Sequence, residues 1–227
     1  MPANSRKPVS VSYWFQSSKI RGHGPLLQKS RVQAMNKLSR EDLLSLEQYA
    51  EQRNDFRARV MEHKKNRRVA VGPNLTLYFE DRLTIQYQIQ EMLRIERIFE
   101  ADAIQEELDT YSPLISGGSS LRCTTMLEFT DVDLRRQQLA KLVGLEHKVW
   151  ASVAEWDKVY AISNEDLERS TEEKTSAVHF MRFEFSDEMK DALRSGAALS
   201  FGCDHENYLQ QVEVPAETRE ALMVDLQ

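Results

Sequence analysis

The sequence predicts an α+β fold, a mostly antiparallel sheet with packed helices, preceded by a helical N-terminal region. Three observations lead there. Stretches of helical period dominate the first half of the chain. Short β-prone runs joined by turn signatures dominate the second half. The strand–helix–strand rhythm of a doubly wound parallel sheet is missing, and short connections favour antiparallel neighbours.

Residues 1–34 carry Arg6, Lys7, Lys19, Arg21, Lys29 and Arg31 and no acid, and they are rich in Ser, Pro and Gly. They read as a disordered basic extension. Met35 then reads as an alternative start. Order begins at Ser39, where Ser39-Arg40-Glu41-Asp42 pairs a serine cap with a carboxylate three residues on. Leu43, Leu44, Leu46, Tyr49, Ala50 and Phe56 follow at helical spacing, with a polar break at residues 53–55 that bends or splits the helix. A second helical stretch, residues 56–66, ends in His63, Lys64, Lys65, Arg67 and Arg68. Cations there meet the negative end of a helix dipole. The same cluster is also a candidate anion site.

Residues 68–71 and 75–79 flank Gly72-Pro73-Asn74 as a hairpin. Residues 82–109 read as the longest helix, with Ile85, Ile89, Met92, Phe99 and Leu108 as its apolar stripe. Pro113 and Gly117-Gly118-Ser119-Ser120 end that region. Residues 121–129 form a strand, and residues 131–143 a helix stopped by Gly144. Residues 148–154 and 158–163 make a hairpin about Glu155-Trp156-Asp157, followed by a helical turn at residues 164–167. Residues 175–185 alternate as a strand, with His179, Met181, Phe183 and Phe185 on one face. Ser186 caps a short helix that stops at Gly196. Residues 197–203 and 208–214 form a last strand pair around a loop at residues 204–207, and Pro215 opens a final helix. No flexible linker divides residues 35–227, so they read as a single domain. The alternative is a helical lobe over residues 35–115 packed on a β-rich lobe over residues 120–227.

Composition narrows the function classes. The chain has 227 residues and only two cysteines, Cys123 and Cys203, with no CxxC pair. That argues for a reducing, cytoplasmic setting and against a cysteine-rich zinc site. No apolar run is long enough to cross a bilayer, and no secretory leader is visible. The net charge of −6 divides into +6 over residues 1–34 and −12 over the rest. So acidic a body repels phosphate backbones, which argues against nucleic-acid binding by the folded part and suits a basic partner.

Two groups of residues could carry chemistry. Glu96 follows Met92 by four and precedes Phe99 by three, which places a carboxylate on the apolar stripe, where it needs company. Glu100 and Glu107 lie near the same face, and Glu91 and Arg94 are three apart. Glu91, Arg94, Glu96, Glu100 and Glu107 are therefore the ligand or partner candidates. Ordinary pairing with Arg94, Arg97 and the cluster at residues 63–68 competes with that reading, as does a carboxylate set that ligates a hard metal or acts as acid or base. The second group is His179, Asp204, His205 and Glu206, a metal set for iron or zinc if the strand carrying His179 lies beside the 204–207 loop. His179 shares a face with Met181 and Phe183, so a satisfied core histidine competes here. No sequence feature requires a cofactor. There is no phosphate-binding loop, dinucleotide fingerprint, Gly-x-Ser-x-Gly or His-Glu-x-x-His, so no catalytic activity is assigned.

The run Lys37-Leu38-Ser39-Arg40-Glu41-Asp42-Leu43, residues 78–96, Glu106-Glu107-Leu108-Asp109-Thr110-Tyr111-Ser112-Pro113-Leu114-Ile115 and Glu172-Glu173-Lys174-Thr175-Ser176-Ala177-Val178-His179-Phe180 resemble a bacterial family of domains of unknown function, over roughly residues 35–214. Genes of that family often neighbour those for rubrerythrin-like di-iron proteins and an iron–sulfur oxidoreductase. The resemblance implies an accessory or interaction protein in an iron-linked redox or peroxide-defence system, with one of those proteins as partner. It assigns no catalytic residue. A metal-dependent enzyme or metal-binding module, using the helix carboxylates or the His/Asp group, is the alternative.

Overall fold

The computed structural model describes residues 37–163, 165, 170–171 and 173–226. The basic extension and the start at Met35 lie outside the described residues, as does nearly all of the turn at residues 164–167.

Two serines share the N-terminal signal. Ser39 precedes only a 3-10 turn, Arg40–Asp42, with its backbone N–H donating to Asp42 Oδ2 at 2.8 Å. The helix proper starts one serine later. Ser45 accepts from the Gln48 N–H at 3.3 Å, and the Gln48 side chain accepts from the Ser45 N–H at 3.1 Å. From there α1 (Leu46–His63) runs unbroken, so the expected bend at residues 53–55 does not occur. The polar stretch is not a break, because Arg53 finds a partner on the next helix.

The helix expected over residues 82–109 is two helices, α2 (Arg82–Glu96) and α3 (Ala101–Tyr111), which leaves α1 the longest of the described helices. Arg97 is the reason. It takes the left-handed conformation (φ 55°, ψ 45°) and its N–H bonds the Leu93 carbonyl, ending α2. The turn lets Leu108 and Tyr111 of α3 pack with Leu38 and with Ile85, Ile89, Met92 and Leu93 of α2 in a helical core. Phe99, placed on the stripe by helical spacing, is left 71% exposed at the corner.

The strands form two antiparallel sheets. The first contains β1 (Arg68–Val71), β2 (Leu75–Phe79), β3 (Ser120–Leu127), β7 (Val178–Glu184) and β6 (Ile162–Ser163), in that spatial order. The second contains β5 (Val159–Tyr160), β4 (Val149–Val153), β8 (Leu199–His205) and β9 (Tyr208–Glu213). The hairpin expected over residues 148–163 is divided between them: β5 pairs with β4, but β6 pairs with β7. Ala161 takes the chain across, its N–H bonding the Val149 carbonyl at 2.8 Å. Elsewhere Tyr208 ties β9 to the first hairpin. Its hydroxyl donates to the Val71 carbonyl at 2.8 Å and accepts from the N–H groups of Asn74 and Leu75 at 3.0 and 2.9 Å.

Alternation along the strands builds the core between the sheets. Val69, Leu75, Leu77, Leu121, Phe183, Val149, Val153, Leu199 and Phe201 are buried there. Phe201 meets Phe79 and Phe183 with ring centroids 5.1 and 5.2 Å apart. Each such side chain contributes about 1.5–3 kcal/mol by leaving water. Three further helices are α4 (Val132–Lys141), α5 (Asp187–Arg194) and α6 (Ala216–Met223). The last two send Met189, Leu193 and Leu222 into this core. On the other face of the second sheet Trp150 lies flat on Gly202, where a Cβ would come within 2.2 Å of its ring.

Candidate functional site

The buried carboxylate of α2 is Glu91, not Glu96. Glu91 accepts from Arg53 twice (Nε to Oε1 at 2.7 Å, Nη2 to Oε2 at 2.8 Å) and from the Tyr49 hydroxyl at 2.8 Å. Arg94 adds weaker bonds at 3.3 and 3.5 Å. Burial alone would raise its pKa, but the hydrogen bonds from Arg53, Tyr49 and Arg94 outweigh it and hold the carboxyl at about 2. Both oxygens are engaged, so this cluster is a clamp between α1 and α2.

Glu96 is exposed at the last position of α2, and Glu100 is exposed beyond the Arg97 turn that ends it. The same turn brings α3 back, so that Glu96 acts on the half-buried Glu107. Burial raises the Glu107 pKa, and the charges of Glu96 and Glu106 raise it further. Residues 94–109 hold six carboxylates and two arginines. Among them Ile95 and Phe99 stand exposed. A cavity of about 420 Å³ opens between the Arg40–Asp42 turn and these helices, with Arg40, Glu41, Leu43, Leu44, Leu93 and Ile104 among its lining residues.

The metal set from the sequence does not assemble. His179 sits in β7 of the first sheet, and Asp204 and His205 in β8 of the second, which reaches past Cys203 into the expected loop and leaves only Glu206 and Asn207 as the turn. His205 Nε2 lies 3.1 Å from the Val143 carbonyl, and its Nδ1 accepts from the Asn207 N–H at 3.2 Å. Asp204 accepts from Trp150 Nε1, Lys158 Nζ and the Tyr160 hydroxyl at 2.8–3.0 Å. Among the described residues no group of three or more His, Cys, Asp or Glu side chains is placed to hold a metal ion.

Sequence reasoning missed two buried networks. His179 Nε2 lies 2.9 Å from Thr175 Oγ1, which donates to Glu146 Oε2 at 3.1 Å, and Ser170 donates to the other oxygen of Glu146. Burial pushes the Glu146 carboxyl up, but Ser170, backbone, His179 and Thr175 together pull it below the usual range. His179 is thus a satisfied core histidine with a carboxylate 4.0 Å away. The second network centres on Arg67, which belongs to the basic cluster singled out at the end of α1. Arg67 is buried, donates to the Phe79, Glu80 and Ala221 carbonyls and pairs with Asp225, while His63 bonds Asp81. Burial pushes the Asp225 carboxyl up to about 6 although Arg67 pulls the other way. No spacing rule signals the partner that completes either network, because Glu146 lies 24 and 29 residues from Ser170 and Thr175, and Asp225 lies 158 from Arg67.

A family model described as protein of unknown function (DUF3501) matches residues 37–226. A crystal structure of a novel protein of unknown function from Burkholderia pseudomallei is 50% identical, with a TM-score of 0.81 over 84% of this chain and 100% of that one. No curated protein matches the chain.

Proposed function

We propose the following reading from one premise: the chain belongs to the DUF3501 family of proteins of unknown function. It is an accessory protein that docks a basic partner protein at the corner between α2 and α3. One observation carries this: Ile95 and Phe99 are exposed within a segment of six carboxylates. Exposed apolar side chains inside a charged rim are the anatomy of an interaction surface. Glu96, Glu106 and Glu107 repel one another there. A cationic partner would relieve that repulsion, and the charge would speed encounter.

The family resemblance supplies the partner class: a rubrerythrin-like or iron–sulfur protein of a cytoplasmic redox or peroxide-defence system. Calorimetry of the full chain against each of these proteins from the same organism tests the reading. The expected result is saturable binding that weakens as salt rises and is lost in Phe99→Asp. Absence of binding to either class refutes the partner assignment.

A further inference from the structure

The described chain begins on the helical lobe. Lys37 Nζ donates to Asp109 Oδ1 of α3 at 3.4 Å, and Leu38 is buried with Leu93 and Leu108 in the helical core. The 36 residues before Lys37 therefore join the body beside α3. They carry six basic side chains and no acid. Within them the run Val9-Ser10-Val11-Ser12-Tyr13-Trp14-Phe15 is bracketed by Arg6 and Lys7 on one side and by Lys19 and Arg21 on the other. The lobe they join presents the complementary pattern. Leu43, Leu44, Leu93 and Ile104 line the open cleft of about 420 Å³. Between Leu93 and Ile104 in sequence stand Ile95 and Phe99, 41% and 71% exposed. Glu96, Glu100, Asp102 and Glu106 of the same segment are exposed as well. Of the two arginines there, Arg94 is turned to Glu91.

We infer that residues 9–15 of this chain dock in the cleft and over the Ile95–Phe99 corner, with the flanking basic pairs against the carboxylates of residues 96–109, as a built-in cover of that surface. Apolar side chains framed by cations would meet apolar side chains framed by anions. Tyr13, Trp14 and Phe15 bring the large apolar area that dominates such contacts. Reach is ample. The 21 residues between Phe15 and Lys37 span up to about 70 Å, several times the ~22 Å length of α2. The tether also fixes the occupant: a segment on the same chain is present at an effective concentration in the mM range, above that of a separate copy in dilute solution. A basic partner must then displace the cover. That consequence rests on the partner reading, whereas the docking is measured with no partner present, so the failure of one is distinguishable from the failure of the other.

Carbodiimide coupling of the full chain, read by mass spectrometry, tests it, because the reagent joins an amine only to a carboxylate in contact with it. An equal mixture of unlabelled and isotope-labelled chain separates couplings within one chain from those between copies. Lys37 to Asp109 is the reference coupling. The expected result at low ionic strength is coupling of Lys7 and Lys19 to Glu96, Glu100, Asp102 or Glu106 within one chain. In Trp14→Asp that yield should fall about tenfold while the reference coupling stays. Trp14→Asp changes no residue of the helical core, so loss of the fold does not confuse the readout. Absence of corner couplings overturns the proposal. So do couplings spread evenly over the acidic surface, couplings only between copies, or an unchanged yield in Trp14→Asp.

Discussion

Arg53 on α1 holds Glu91 on α2 by a two-pronged hydrogen bond, Nε to Oε1 at 2.7 Å and Nη2 to Oε2 at 2.8 Å. The contact explains why the polar stretch at residues 53–55 leaves α1 straight, and why a carboxylate is tolerated against the helical core. Removing the Glu91 charge leaves the half-buried Arg53 without its counter-ion. Glu91→Gln should therefore cost about 1.5–3 kcal/mol, read as a lower urea midpoint with an unchanged slope.

The pH dependence of the same group has a definite sign. The Glu91 carboxyl is lowered from the ordinary value to about 2 in the folded state, so the folded protein binds its proton less readily than the unfolded chain. Its stabilisation is complete above about pH 4.5 and is lost as pH falls toward about 2. Acid titration of stability should show a steeper loss in that window for the native chain than for Glu91→Gln.

The contact between Trp150 and Gly202 leaves no room for a methyl group. Gly202→Ala should displace the indole, disturb its bond to Asp204 and the Lys158 contact 4.3 Å over its ring, and cost about 1–3 kcal/mol. Denaturant unfolding followed by tryptophan fluorescence measures both effects.

Both thiols are protected. Burial pushes the Cys123 thiol up to about 12 and raises Cys203 as well. Neither should react with an aromatic disulfide reagent at about pH 8 in the native protein, and both should react once it unfolds.

Much of the architecture was legible because it is written in local period and punctuation. The alternation of His179, Met181 and Phe183, the turn at Gly72, and the cap at Ser186 all correspond to observed elements. The errors share a cause. Helical spacing carries no mark of where a non-glycine residue turns left-handed, so the period runs on through Arg97 and places Phe99 on a face that the chain has already left, while Glu96 ends α2 exposed. Ser39 and Ser45 carry similar cap signals, and local pattern does not say which of them opens the long helix. The candidate carboxylates contained Glu91, but its partners Tyr49 and Arg53 are 42 and 38 residues away.

The exposed corner between α2 and α3 is probed most directly by calorimetry of the native chain and of Phe99→Asp against a rubrerythrin-like partner. Saturable, salt-weakened heat in the native chain that drops at least tenfold in affinity in the variant, about 1.4 kcal/mol, is the predicted result. Equal affinity in both would contradict the corner as the docking surface.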